Sequence, residues 1–223
     1  MFRMDAKNKM AAPLPTMVYH ITHVDNLSAI LDEGALRCCG DLLREGTDYV
    51  NIAHQNIQDR RGRTQVPCGP RGTLHDYVPF YFAPLSPMLC AIHHGRVEGY
   101  AGGQSDVIYL VSNAQLVARR DSKFVFTNGH GTMALTDFFD DLDKLDEVDW
   151  EVMRLQYWND TPKDPDRKRR RNAEFLVHGS FPWTLVSDVV VMTNAIKARI
   201  EALLDGKAID HRPDITVCRG WYY

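Results

Sequence analysis

Residues 75–89 read HDYVPFYFAPLSPML and place an aromatic strand directly before a helix. Aromatic and β-branched residues favour a strand from Tyr77 to Ala83. Ser86 follows with a side-chain oxygen suited to cap a helix, and Pro87 takes the first helical position, where its missing N–H leaves nothing unsatisfied. The helix is expected to run to Gly95.

Short strands and helices extend from this unit in both directions. Met17–Ile21 is strand-like, and Thr22–Asp25 has the capping-box pattern of a helix start, with Gly34 placed to end that helix. Strands are also predicted at Asp106–Ser112, Phe124–Thr127, Ala173–Val177, Asp188–Met192 and Ile215–Cys218, and helices at Met133–Leu145, Val148–Trp158 and Asn194–Leu204. Residues 37–75 are predicted to be a long loop with a helical turn around Asn56–Arg63. Because strands and helices alternate irregularly, the sequence predicts an α+β fold rather than a regular βαβ series. We expect one domain over residues 17–223, preceded by an N-terminal extension, residues 1–16.

The composition is that of an ordinary globular protein. Of the 223 residues, 44% are hydrophobic and 25% are charged, which excludes disordered and fibrous architectures. No apolar run reaches the ~20 residues that a membrane span needs. The five cysteines lack CxxC spacing, and the nine histidines lack metal-ligand spacing. We therefore expect a cytoplasmic protein with no membrane partner and no metal.

The charges are unevenly distributed along the chain. The net charge is −3, yet residues 137–151 alone carry eight carboxylates and one lysine. Basic residues gather around Arg60–Arg63 and between Lys163 and Arg171. Such runs are usually solvated surface, but an arginine run on a charge-separated chain can also hold a nucleic-acid backbone.

Three polar residues are candidates for chemistry, in a chain without GxGxxG, P-loop or GxSxG motifs. Glu174 opens an apolar strand directly after the cationic run. It is either an edge-strand glutamate paired with Arg170 or Arg171, or a carboxylate that orients a hydroxyl or takes a proton beside a developing cation. Likewise, His20 is either a core histidine bonded to backbone or a binding group, and Arg61 is either solvated or functional.

Five segments together resemble the DarT family of DNA ADP-ribosyltransferase toxins. They are YHITHVDNLSAIL, QDRRGR, LHDYVPFYFAPLSPMLCAI, RRNAEFLV and the terminal WYY, and they follow the family's order from about Val18 to Tyr223. The resemblance implies an ADP-ribosyltransferase (PARP-like) fold with a central split β-sheet, an NAD cleft and flanking helices. It also implies NAD+ as co-substrate, transfer of ADP-ribose to a base, typically thymine, of single-stranded DNA, and a macrodomain antitoxin of the DarG type that reverses the mark.

The resemblance assigns roles to individual residues. Glu174 and Arg61 are each assigned a catalytic role; Arg61 acts electrostatically, because arginine stays protonated and is a poor base. Glu174 either removes the thymine proton or orients the ribose. Residues 49–63 cover the dinucleotide, and NAD+ is held by His20, Ile21, Thr22, Asn26, Ala29 and Arg61. Removal of the Glu174 carboxylate is expected to disturb folding little, since strand onsets are usually partly wet.

The DNA face is predicted from charge and stacking. Single strands are held by cationic grooves and aromatic or apolar platforms. The candidates are Ser86, Met88, Tyr157, Arg169, Arg170 and Arg171. Two alternatives remain at this level: the same NAD chemistry directed at RNA or protein, and a non-catalytic module that binds nucleic acid through its arginines.

Overall fold

The computed structural model describes residues 9–223 and contains ten strands and eight α-helices in that range. The strands are β1 (Met17–His23), β2 (Ala35–Arg37), β3 (Tyr77–Tyr81), β4 (Val107–Asn113), β5 (Phe124–Thr127), β6 (Phe138–Phe139), β7 (Glu174–His178), β8 (Ser180–Pro182), β9 (Asp188–Val191) and β10 (Asp214–Val217). The helices are α1 (Leu27–Glu33), α2 (Cys39–Glu45), α3 (Gln55–Arg61), α4 (Pro87–His93), α5 (Ala114–Arg119), α6 (Trp150–Met153), α7 (Arg167–Arg171) and α8 (Asn194–Asp205).

Eight strands form one mixed sheet in the order β10-β9-β4-β1-β3-β7-β5-β6. Strands β9 and β10, which are connected through α8, pair in parallel. On its other side, β9 pairs antiparallel with β4. In the middle of the sheet, β1 pairs with β4 over seven residues but meets β3 at a single pair, Tyr19 and Tyr81. The sheet is therefore split between β1 and β3, which confirms the predicted α+β class with a central split sheet.

A proline explains why the sheet divides there. Nδ1 of His20 lies 2.8 Å from the carbonyl oxygen of Pro79, so this carbonyl in the middle of β3 faces β1. The N–H and C=O of one strand residue point to the same side, and the missing N–H of Pro79 therefore also faces β1. Without that donor the ladder cannot continue, and proline within a sheet is confined to such open edges.

The core covers both faces of the sheet. Along β4, Ile108 and Leu110 pack on one face, while Val107, Tyr109 and Val111 pack on the other. A strand buried on both faces has a continuous apolar sequence rather than an alternating one. Within residues 9–223, none of the helices combines the length and apolar character that crossing a bilayer requires.

Local capping signals near the first helices are partly confirmed. The Ser86 side chain accepts the Leu89 N–H at 3.2 Å and begins α4, and Gly34 ends α1 with φ of 68°. The capping box predicted at Thr22 is wrong. Instead, His23 accepts the Asp25 N–H through Nδ1 at 3.2 Å and starts a short 3₁₀ turn before α1.

The two long acidic helices predicted at Met133–Leu145 and Val148–Trp158 are wrong. The structure has the short strand β6, a 3₁₀ segment over Leu142–Glu147 and the four-residue α6 in this region. Two of the carboxylates act as caps: Asp141 accepts the Asp143 N–H, and Asp149 accepts the Val152 N–H. Aspartates that bond to nearby backbone N–H groups favour short turns over long helices.

The predicted N-terminal extension lies partly outside the described residues, which begin at Lys9. Within it, Met10 and Ala12 pack against the core, and Thr16 is fully buried. The Ala12 N–H donates to Asp146 at 2.7 Å. Residues 10–16 therefore lie against the domain.

Candidate active site

A buried ion pair joins α3 to β7. Arg61, the last residue of α3, donates from Nη1 to Oε2 of Glu174, the first residue of β7, at 2.6 Å. The two side chains are only 10% and 5% exposed. Glu174 thus pairs with an arginine 113 positions away. It does not pair with Arg170 or Arg171, the partners expected for an ordinary edge-strand glutamate at this position.

The second oxygen of Glu174 is held by the loop between β5 and β6. The Gly131 N–H donates to Oε1 at 3.1 Å. A Cβ on residue 131 would lie 3.3 Å from that same oxygen and 3.1 Å from Leu74, so this loop approaches closely only because residue 131 is glycine. The Glu174 backbone N–H donates to Oγ1 of Thr127 at 2.9 Å. Both the chain and the carboxylate are fixed in place.

The environment keeps Glu174 ionised. Burial would by itself raise the pKa of its carboxyl group, but the charge and hydrogen bond of Arg61, together with the Gly131 N–H, hold that pKa below its usual value. The carboxylate therefore carries its negative charge at neutral pH. Removing Arg61 would leave a buried charge without its counter-ion.

Arg61 also carries a free donor. Its Nη2 is buried and has no hydrogen-bond partner among residues 9–223. An unpaired buried N–H costs roughly 1–3 kcal/mol, and native proteins contain few of them. This donor suits an oxygen atom of a bound ligand.

His130 and Tyr81 lie close to the pair. Tyr81 is the register partner of Glu174 between β3 and β7, so the two side chains share one face of the sheet. Burial raises the pKa of Tyr81, and the charge of Glu174 raises it further, so the phenol remains a donor. Burial lowers the pKa of His130, whose Nδ1 accepts the Thr132 N–H at 3.3 Å, which leaves the ring proton on Nε2. Neither residue was predicted from the sequence.

His20 lies where the sheet divides. Burial of its ring lowers the pKa to about 4, although its bond to the Pro79 carbonyl acts in the opposite direction. The ring is therefore neutral at pH 7, with the proton on Nδ1 donated to that carbonyl at 2.8 Å. Nε2 is then an acceptor. The two roles considered for His20, a bond to the backbone and the binding of a ligand, are therefore compatible, because each uses a different ring nitrogen.

We expect the protein to lose stability as the pH falls from about 6.5 towards 4. The pKa of His20 is about 4 in the folded protein against an ordinary value of 6.5, so the unfolded chain takes up the proton first. The pKa values of His75 and His130 are also lowered by burial and act in the same direction. Urea unfolding at pH 7.5, 6 and 5 measures this loss. His20→Gln should reduce the dependence of the unfolding free energy on pH. An equal dependence in the variant and the wild type would contradict the lowered pKa of His20.

The family model described as ssDNA thymidine ADP-ribosyltransferase, DarT, matches residues 19–223. The chain belongs to the DarT family. A curated relative from Thermus sp. (strain 2.9), named DNA ADP-ribosyl transferase, is 41% identical over 215 residues, which cover 96% of this chain and 100% of the relative. A more distant relative is the DNA ADP-ribosyl transferase-DNA ADP-ribosyl glycohydrolase fusion protein of Thermosipho africanus. It is 22% identical over 201 residues, or 89% of this chain and 48% of the fusion protein.

Two solved structures of the Thermus sp. 2.9 DarT are similar to this fold. The complex with ADP-ribosylated ssDNA has a TM-score of 0.90 at 40% identity and covers 96% of this chain and 100% of that chain. The complex with NAD+ has a TM-score of 0.86 at 38% identity, with the same coverage of both chains. The ADP-ribosyltransferase fold predicted from the sequence is confirmed.

Apart from Arg61 at the end of α3, the residues that the DarT resemblance assigns to NAD+ lie in β1, in α1 and in the turn between them. The Ile21 side chain is buried in the core, whereas Ala29 is exposed on α1. Oγ1 of Thr22 accepts from Nδ2 of Asn26 at 3.0 Å, and the same amide bonds to the backbone of Val50. In the described residues, no group of three or more His, Cys, Asp or Glu side chains is arranged to hold a metal ion.

The structure corrects the prediction that Arg171 contacts DNA. Arg171 is buried, and its two terminal nitrogens donate to the carbonyl oxygens of Val152, Met153 and Pro84 at 2.5–2.9 Å. Burial lowers its pKa to about 10. Through these hydrogen bonds Arg171 links α7 to α6 and to the chain after β3. Because its terminal nitrogens are buried and already bonded, they are not available to a phosphate.

The neighbouring arginines are compensated by carboxylates. Arg169 forms a two-bond pair with Asp166 at 2.7 and 2.8 Å, and Arg170 contacts Asp149 and Asp164. The arginine run is therefore a half-buried ion-pair network rather than an open cationic groove. Asp164 and Asp166 lie inside the run and are visible in the sequence, whereas Asp149 is brought to Arg170 by the fold.

The other DNA candidates occupy different environments. Ser86 is buried and caps α4, and Met88 is half-buried with its sulfur 3.5 Å from the Tyr81 hydroxyl. Tyr157 is 79% exposed. Of these three side chains, Tyr157 alone presents a large stacking surface to solvent.

Arg171→Ala is expected to reduce stability rather than DNA affinity. The change removes three hydrogen bonds to carbonyl oxygens, of which only that of Val152 still accepts another N–H, from Leu155, and we expect a loss of about 2–4 kcal/mol. For a chain of this size each kcal/mol lowers the melting temperature by about 2–4 °C. Lys168→Ala is the matched control, since this neighbouring cation is exposed and its melting temperature should barely change. Equal melting temperatures for the two variants would contradict the assigned role.

Proposed function

We propose that this protein transfers ADP-ribose from NAD+ to a thymine base of single-stranded DNA and releases nicotinamide. The buried Arg61–Glu174 pair, placed beside the split of a DarT-family fold, is the observation that carries this proposal. It combines a fixed negative charge with a free N–H donor in a site from which water is largely excluded.

The residues of the split fit a bound dinucleotide. Nε2 of His20 is an acceptor suited to a ribose hydroxyl, because Nδ1 is occupied by the Pro79 carbonyl. Nη2 of Arg61 is a buried donor without a partner in the described chain and suits an oxygen of the substrate. NAD+ supplies a glycosidic bond that is already activated, since nicotinamide leaves as a neutral group and positive charge develops on the ribose.

Glu174 serves this reaction through its charge. A carboxylate whose pKa is lowered is a weak base, so proton removal is the smaller part of its contribution. Its fixed negative charge stabilises the cation that develops on the ribose without reorganising during the reaction. The ring nitrogen of thymine loses its proton as its bond to the ribose forms, and that proton passes to Glu174 or to solvent.

The acceptor is a single strand. Extracting a thymine from a duplex costs unpairing and unstacking free energy, and a single strand avoids that cost. Exposed Tyr157 provides a stacking surface for a base. Lys163 and Lys168 are exposed on the same segment and supply cations for the backbone.

The partner and the compartment follow from the same proposal. A DNA mark made by a toxin is removed by a macrodomain enzyme of the DarG type, and the fusion of a transferase to a glycohydrolase in Thermosipho africanus supports this pairing. The five cysteines are all free. Free thiols are typical of the reducing cytoplasm, where we place the reaction.

Mass spectrometry of reaction products tests the proposal. The protein is incubated with NAD+ and one acceptor in each reaction. The acceptors are a thymine-containing single strand, its duplex, the same strand lacking thymine, an RNA and a protein mixture. We expect the mass of one ADP-ribose on the thymine-containing single strand alone. Modification of RNA or protein instead would show that the acceptor is misassigned, and no modification of any acceptor would show that the chain is a binding module.

A further inference from the structure

The segment between α2 and α3 has little backbone support of its own. Residues 47–54 form neither helix nor strand. From residue 48 to residue 53, the chain makes no backbone–backbone hydrogen bond to any part of the described protein. Such a segment keeps one conformation only if side chains satisfy and hold its backbone groups.

One side chain from outside the segment supplies most of that support, and within the segment Oδ1 of Asn51 accepts the Ala53 N–H at 3.0 Å. Oδ1 of Asn26 accepts the Val50 N–H at 2.8 Å, and Nδ2 of Asn26 donates to the Val50 carbonyl at 3.0 Å. The amide thus pairs with both polar groups of a single residue, as a neighbouring strand would. The other N–H of Nδ2 donates to Oγ1 of Thr22 at 3.0 Å, which fixes the orientation of the amide.

The pairing places the whole segment. Two residues beyond Val50, Ile52 is 5% exposed and packs in the cluster that contains Ile21 of β1. The segment then enters α3, whose last residue is Arg61. Asn26, which lies between β1 and α1, therefore fixes the position of the segment that leads into α3 and Arg61.

We propose that Asn26 is a positioning residue, which holds residues 47–54 over the NAD+ site, and is not itself a ligand of NAD+. Both donors of its amide are used inside the protein, and its oxygen already accepts one hydrogen bond. The amide therefore has no donor left for NAD+, and its oxygen is already held in place by the Val50 N–H. The inference rests on the proposed function, since it takes the β1–α1 corner and Arg61 as parts of one NAD+ site.

Asn26→Ala should loosen the segment before any substrate binds. Loss of two neutral hydrogen bonds corresponds to roughly a 10- to 100-fold increase in local opening. Once NAD+ is saturating it holds the segment closed, so KM for NAD+ should rise in inverse proportion to the fraction of free protein whose segment stays closed, while kcat changes only a few-fold. A direct ligand would instead weaken NAD+ binding without changing the free protein.

Amide hydrogen exchange of the NAD+-free protein tests this. In the wild type, the Val50 amide should exchange more slowly than those of Tyr49 and Asn51, and in Asn26→Ala this protection of Val50 should be lost. Asn113→Ala is the matched control: its Oδ1 also accepts a backbone N–H, that of Leu116, but at the start of α5. This control should leave the segment unchanged.

Two results would overturn the proposal. One is a Val50 amide that exchanges as fast as its neighbours in the wild type, a measurement that does not depend on the variant folding. The other is unchanged exchange in Asn26→Ala together with a raised KM for NAD+, which would make Asn26 a ligand. The exchange data need no NAD+, so a wild-type protein without an NAD+-induced melting shift would refute the proposed function and leave the role of Asn26 in holding the segment supported.

Discussion

Glu174→Gln should lower the rate of ADP-ribose transfer to single-stranded DNA by about 10²–10⁴-fold. Glutamine keeps an oxygen for the Gly131 N–H but removes the negative charge that faces the developing cation. Because that charge acts mainly in the transition state, kcat should fall far more than NAD+ affinity. Initial rates with a thymine-containing oligonucleotide, at several NAD+ concentrations, measure both quantities.

The same substitution should also reduce stability, contrary to the expectation from sequence. That expectation assumed that the first residue of the strand is partly exposed to solvent, whereas Glu174 is buried and paired with Arg61. Removing one partner of a buried ion pair leaves the other charge uncompensated, at a cost of about 3–5 kcal/mol. Ile200→Ala in α8 is a suitable control, because this fully buried residue lies in another element and its truncation costs about 2–5 kcal/mol. The control should retain activity at temperatures where both variants are folded.

Loss of Arg61 should be comparably severe. Removing one preorganised donor from a charge-stabilising site typically costs about 10²–10³-fold in kcat. Arg61→Lys keeps the positive charge next to Glu174 but loses the planar fork that provides both Nη1 and Nη2. Both Arg61→Lys and Arg61→Gln should therefore be slow.

The pH profile separates the two roles of Arg61. Its positive charge helps to hold the pKa of Glu174 below the usual value, so Arg61→Gln should raise that pKa and move the acid limb of the residual activity to higher pH. Arg61→Lys should keep the limb closer to that of the wild type. The measurement is kcat/KM from pH 4 to 8 for all three proteins. Coincident acid limbs would show that Arg61 does not control the ionisation of Glu174.

Signals that act within a few residues were predicted well from sequence. The Ser86 cap and the Gly34 helix end depend on one side chain and one backbone conformation, and both are present. Pro79 carried an unused signal: a proline in the middle of a strand-like run indicates an edge or an opening, and β3 does face the split at this residue. His130 carried another, since it stands between two glycines and Gly131 permits the close approach to Glu174.

Contacts between distant residues could not be predicted in this way. Nothing near Glu174 in sequence shows that Arg61, rather than Arg170, is its counter-ion, because the fold alone brings α3 to the start of β7. The same limit applies to Arg171, whose partners are backbone carbonyls. The acidic helices failed for a different reason, since aspartates that bond to their own neighbourhood end helices early.

We propose that transfer of ADP-ribose to thymine depends on the Arg61–Glu174 pair. A single-turnover experiment tests it most directly: enzyme in excess over an oligonucleotide with one thymine, saturating NAD+, and product mass followed over time for the wild type, Glu174→Gln and Ile200→Ala. We expect modified oligonucleotide with the wild type and Ile200→Ala, and a rate at least about 10²-fold lower with Glu174→Gln, which still shows an NAD+-induced melting shift. If Glu174→Gln, folded and bound to NAD+, modified the thymine at more than about a tenth of the wild-type rate, the pair would be structural and would not carry the transfer.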